Sequence, residues 1–97
     1  MAEFLFLMHD DATTDEVGSW EDYIEKLQEE DAFEGGSVVG DGICVRQNGE
    51  TPPITAHLVG YIRVSASSIE QAQSLLAGNP HFEAGGTVEI RELPHTE

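Results

Sequence analysis

Residues Glu3-Phe4-Leu5-Phe6-Leu7-Met8-His9 are aromatic-rich and apolar at both parities. Successive side chains of a strand point to opposite faces, so such a run reads as a strand buried on both sides. Phe4, Phe6 and Met8 share one face; Leu5, Leu7 and His9 share the other. A sheet built on this strand needs cover above and below.

Outward from that strand the pattern becomes helical. Trp20, Tyr23, Ile24 and Leu27 fall on one helical face, with Glu21, Asp22, Glu25, Gln28 and Glu29 outside. Ser19, three before Asp22, is the expected N-cap; an earlier start near Asp15 would use Thr14. Asp22 and Lys26 have the spacing of a helical ion pair. Gly35-Gly36 is expected to end the helix.

A second strand is expected over Ser37 to Arg46, apolar at Val38, Val39, Ile43 and Val45 and interrupted by Gly40-Asp41-Gly42. Asn48-Gly49 and Pro52-Pro53 mark a hairpin connection to a third strand, His57 to Ser65. There Leu58, Gly60, Ile62 and Val64 oppose His57, Val59, Tyr61 and Arg63. A second helix follows, with Ser67 and Glu70 as capping box and Ile69, Ala72, Leu75 and Leu76 as its apolar stripe. Gly78 and Asn79-Pro80 terminate it, and Thr87 to Arg91 forms the last strand.

The order β-α-β-β-α-β predicts an α+β fold of the split βαβ, or ferredoxin-like, kind. That is a four-stranded antiparallel sheet with two helices on one face, here as a single domain over residues 1–97. The helices leave the other face bare, and the double-sided first strand makes that face apolar. A monomer tolerates only a few hundred Å² of such surface. A homodimer with the sheets face to face, burying ~800 Å² per partner, resolves this.

The chain has 97 residues, nineteen of them Asp or Glu and four Lys or Arg, giving a net charge of −15. With 39% apolar and 24% charged residues it is a globular composition rather than an acidic tail. Its charge disfavours nucleic acid, which needs clustered Lys and Arg, and anionic membrane surfaces. The longest apolar run, Phe4 to Met8, is far short of the ~20 residues of a membrane span, and it lacks the flanks of a signal peptide. Cys44 is the single cysteine, so a cytoplasmic location is expected.

Three of the four basic residues, Arg46, Arg63 and Arg91, stand on expected strands. Guanidinium groups grip carboxylates and phosphates in two-pronged fashion. If Ile62, Val64, Val88 and Ile90 face the helices, Arg63, Arg91, Tyr61 and Glu89 face the dimer side. The two readings are a site for a small anionic ligand and an internal network of arginine–glutamate pairs. His9 ends the first strand, where an imidazole can carry protons; Asp11, not Asp10, shares its parity. The other reading of His9 is a hydrogen-bonded strand end.

His57, His81 and His95 lack zinc-site spacing, and Asp10, Asp11, Asp15 and Glu16 lack that of a calcium loop. Cys44 reads as packing. Ser37 lacks the hydrolase elbow, and Gly35-Gly36-Ser37 is too short for a phosphate loop. No metal or cofactor is implied.

The opening strand and histidine resemble those of the YCII-related family, including its DGPF-type branch. So do the Trp20 to Leu27 helix with Phe33-Glu34-Gly35-Gly36-Ser37, and Gly60-Tyr61-Ile62-Arg63-Val64 followed by Ile69-Glu70-Gln71-Ala72. The closing Asn79-Pro80, then Gly85-Gly86-Thr87-Val88-Glu89-Ile90-Arg91-Glu92-Leu93-Pro94, is the most specific piece. The resemblance covers nearly the whole chain. The Asp-Gly-Pro-Phe signature itself is missing from residues 48–57, and the first helix lacks the histidine of the better-known branch.

This resemblance implies a dimeric α+β barrel with a cleft at the sheet interface, in a family whose members mostly have no established activity. Related barrels include lactone isomerases and monooxygenases, and some branches are associated with transcription regulation. His9 and Arg91 match the family's first-strand and last-strand motifs. The function expected is a homodimeric small-molecule-binding protein, with His9 as proton carrier and Arg63, Arg91, Tyr61 and Glu89 holding a small anionic metabolite. The alternative is a non-catalytic regulatory or interaction module whose acidic surface meets a basic partner.

Overall fold

A computed structural model describes residues 2–16 and 18–94, so His95 lies outside the described residues. Ala2–His9 (β1) is followed by Trp20–Glu29 (α1), Phe33–Val38 (β2) and Leu58–Ala66 (β3). Ile69–Ser74 (α2), Pro80–Glu83 (α3) and Val88–Leu93 (β4) complete the chain. The strands make one antiparallel sheet in the order β2-β3-β1-β4, compatible with a ferredoxin-like fold. Among the described residues three helices are present where two were expected, the third being a single turn after Asn79.

Strand parity places the core as the sequence reads. Phe4, Phe6 and Met8 of β1 and Ile62, Val64 and Ala66 of β3 are buried against Tyr23 and Leu27 of α1 and against Ala72, Leu75 and Leu76. Ser19 caps α1, its hydroxyl accepting from the Asp22 amide at 3.3 Å. No helix among the described residues is long and apolar enough to cross a membrane.

Several expectations are corrected. α1 ends at Glu29, not at Gly35-Gly36: Asp31, at φ 55°, makes the left-handed turn, a conformation that Asp tolerates better than most residues. The glycines instead lie within β2. Gly35, at φ 140°, follows a register shift, and a Cβ on Gly36 would lie 2.6 Å from the Tyr61 carbonyl oxygen. β2 thus runs from Phe33 to Val38, not Ser37 to Arg46, and residues 39–57 are irregular. Ile43 and Val45, read as apolar positions of that strand, are exposed, and Arg46 and Cys44 stand on this loop.

The cap of α2 is Ser68, accepting from the Gln71 amide, while Gln71 reaches back to the Ser67 amide; the box is therefore shifted by one residue from Ser67 and Glu70. Ile69 is consequently exposed. Lys26 donates to the Ala77 carbonyl at 2.7 Å rather than to Asp22.

Candidate functional site

The sheet face away from the helices carries every residue singled out for chemistry on β1, β3 and β4. Register sets Arg63 and Arg91 on either side of Leu5, and Tyr61 and Glu89 on either side of Leu7. With strands ~4.8 Å apart, the two arginine positions are roughly 10 Å from each other. Leu5, Leu7 and Tyr61 are half-buried, on the face opposite the one that α1 and α2 pack against.

Each of these arginines has a carboxylate partner within the chain. Arg63 Nη2 donates to Glu3 Oε1 at 2.8 Å, which raises the guanidinium's pKa further. Arg91 Nη1 donates to Glu89 Oε2 at 3.0 Å, and Glu89 Oε1 takes His9 Nε2 at 3.0 Å. The Arg91 hydrogen bond, then that of His9, hold the Glu89 carboxyl below the usual carboxylate range. Glu89 therefore bridges the histidine and the arginine. A carboxylate only accepts, so His9 Nε2 carries a proton and a neutral ring leaves Nδ1 as a base.

Parity pointed to Asp11 as the carboxylate beside His9. Asp11 instead accepts from the Thr87 amide at 2.7 Å and the Thr87 hydroxyl at 2.6 Å, and these bonds lower its pKa. The partner found is Glu89, eighty residues away in sequence. His57 packs edge-on against His9, with ring centroids 4.9 Å apart.

On the helix side lies a half-open cleft of about 440 Å³, between α1 and the end of the sheet formed by β2 and β3. Its walls are apolar: Trp20 and Ile24 from α1, Phe33 from β2, Met8 and Ile62 from the sheet. Gly36 and Gly60 stand where the strands pass it. Glu16 and His81 supply polar groups.

Local structure fixes those groups. Trp20 is the first residue of α1 and its indole Nε1 donates to Glu16 Oε1 at 3.0 Å. Its ring also meets Tyr23 edge-on, at 6.0 Å between centroids. Asn79 caps α3 by accepting from the Phe82 amide at 2.9 Å, which seats the buried His81. His81 Nε2 lies 3.2 Å from the Thr87 carbonyl oxygen, and a Cβ on Gly86 would collide with the ring.

Sequence reasoning missed this cleft. One signal was available: the α1 stripe has four apolar members, yet Gly36 and Gly60 offer no side chains to meet them. Tyr23 and Leu27 are buried, while Trp20 and Ile24 are only half-buried and line the opening.

Ser37 Oγ donates to the Val38 carbonyl at 2.9 Å, and Cys44 Sγ lies 3.6 Å from the Pro53 carbonyl. Among the described residues no group of three His, Cys, Asp or Glu side chains is placed to hold a metal ion. Compared with known proteins, the chain matches no family model and no curated protein.

Proposed function

We propose that this protein binds a small molecule in the cleft between α1 and the β2–β3 end of the sheet. The observation carrying this reading is the cleft itself: about 440 Å³, mostly apolar-walled, with Glu16 and His81 among its polar residues. Small-molecule sites commonly have ~300–1,000 Å³ and this balance of lining. Trp20 is the only tryptophan, so its single indole N–H resonance reports on the site. Titration with neutral 2-naphthalenemethanol is expected to shift that resonance saturably. Ile24→Phe, which fills the cleft from one wall, is expected to weaken the affinity about tenfold while leaving the fold intact. A resonance that never moves, or an Ile24→Phe variant that binds as well as the parent, overturns the reading.

A second reading rests on a different observation, the continuous His9–Glu89–Arg91 chain on the uncovered sheet face. Here two copies pair face to face, as in a dimeric α+β barrel of the YCII-related type. His9 then acts as acid or base on a small anionic metabolite between the sheets, with Arg63, Arg91, Tyr61 and Glu89 holding it, in the cytoplasm. Arg91→Ala is expected to abolish binding of a dicarboxylate probe and leave the dimer intact. Loss of the dimer instead makes the arginine structural. A dry interface, together with capture of a basic protein in a salt-sensitive manner, points to the non-catalytic module.

A further inference from the structure

We propose that the helix-side cleft selects a small aromatic cation, an arylalkylammonium, over neutral and anionic molecules of the same shape. This rests on the reading of the cleft as a ligand site.

The argument is an account of donors and acceptors. Three side-chain donors of the lining are already committed. The Trp20 indole N–H goes to Glu16, the Ser37 hydroxyl to the Val38 carbonyl, and His81 Nε2–H to the Thr87 carbonyl. Because a carbonyl only accepts, the His81 proton sits on Nε2, and a neutral ring leaves Nδ1 as an acceptor. The second oxygen of Glu16, an exposed residue, has no protein partner among the described residues. Tyr61 reaches the lining from β3, but its register opposite Leu7 sends its side chain to the other face, and that of Ser37, its pair on β2, with it. The lining holds no Lys or Arg.

The lining therefore offers a ligand the Glu16 carboxylate, and none of these three donors is free to receive it. An ammonium group satisfies the Glu16 oxygen through a charge-assisted hydrogen bond. The half-buried Trp20 ring adds a face that attracts cations, and the apolar walls take the aromatic body. An anion of the same shape would stand against Glu16 with no cation to offset it. The net charge of −15 acts in the same direction by raising the local cation concentration.

The test compares 2-naphthylmethylammonium, 2-naphthalenemethanol and 2-naphthoate by the Trp20 indole resonance at fixed salt. The expected order is ammonium tightest, the alcohol about tenfold weaker, and the carboxylate without saturable binding. Glu16→Gln keeps an acceptor for the indole N–H but removes the charge. It is expected to erase most of the ammonium's advantage over the alcohol. If all three bind equally, or the carboxylate binds best, the cation preference is wrong and the cleft remains a ligand site. If the ammonium keeps its full advantage in Glu16→Gln, the preference comes from the overall field and its assignment to Glu16 fails. If none of the three binds, the cleft reading falls and this inference with it.

Discussion

The Tyr23 hydroxyl donates to the Leu75 carbonyl at 2.8 Å, tying α1 to the end of α2 at a residue only 2% exposed. Burial pushes its pKa up to about 12 from 10.0. A phenol held neutral in this way stabilises the fold fully below the unfolded value and loses that contribution as pH rises through the folded one. Stability is expected to fall by at most ~1.4 kcal/mol per pH unit across that alkaline window. Tyr23→Phe should remove the dependence and cost about 1 kcal/mol at neutral pH, read from urea melts at pH ~8 and ~11. Glu89 has the opposite sign. Its depressed pKa contributes stability present above the ordinary carboxylate range and lost as pH falls through it. Glu89→Gln should therefore flatten the acid limb of the stability profile, and an unchanged limb would assign that slope to Asp11 and the other carboxylates.

At the scale of the element, the period of two in β1 and β3 shows in sequence which side chains share a face, but not which face of β1 the helices cover, since β1 is apolar on both. The Ser19 cap is equally local. β2 was hidden because Gly35-Gly36 has the composition of a helix stop, while the actual turn is made by Asp31, whose backbone does not need glycine. What demands glycine is the neighbour: a Cβ at Gly36 would lie 2.6 Å from the Tyr61 oxygen, a backbone atom that cannot swing aside. Gly36→Ala is expected to cost ~1–3 kcal/mol, measured by thermal or urea unfolding, whereas Gly40→Ala, with open space around it, should cost well under that. The same reasoning separates the legible from the hidden in the site. Parity placed His9, Tyr61, Arg63, Glu89 and Arg91 on one face, but no local pattern could bring Glu89 to His9 in place of Asp11. The cleft gathers Met8, Trp20, Gly36, Ile62 and His81 from five elements, and no sequence window spans them.

The whole molecule measures 46 × 41 × 20 Å, thin along one axis, as expected of one sheet and one helix layer stacked ~10 Å apart. Two opposing forces follow from that shape and from the composition. The uncovered face, with Leu5 and Leu7, favours a second copy, while −15 on each chain opposes compaction and pairing alike. Salt acts on only one of them. The Debye length falls from ~30 Å at 0.01 M to ~3 Å at 1 M, so like-charge repulsion fades while apolar burial persists. The urea midpoint is therefore expected to rise with potassium chloride, and the weight-average mass in sedimentation equilibrium to climb from one chain towards two over the same range. Leu7→Glu places a charge at the centre of the uncovered face. It should hold the mass at one chain at every salt concentration while keeping the salt-dependent rise in midpoint, since charge repulsion within the chain remains. A parent protein that stays a single chain in 1 M salt at high concentration would mean that the half-buried leucines are tolerated in water, and the sheet-to-sheet pairing would have no support.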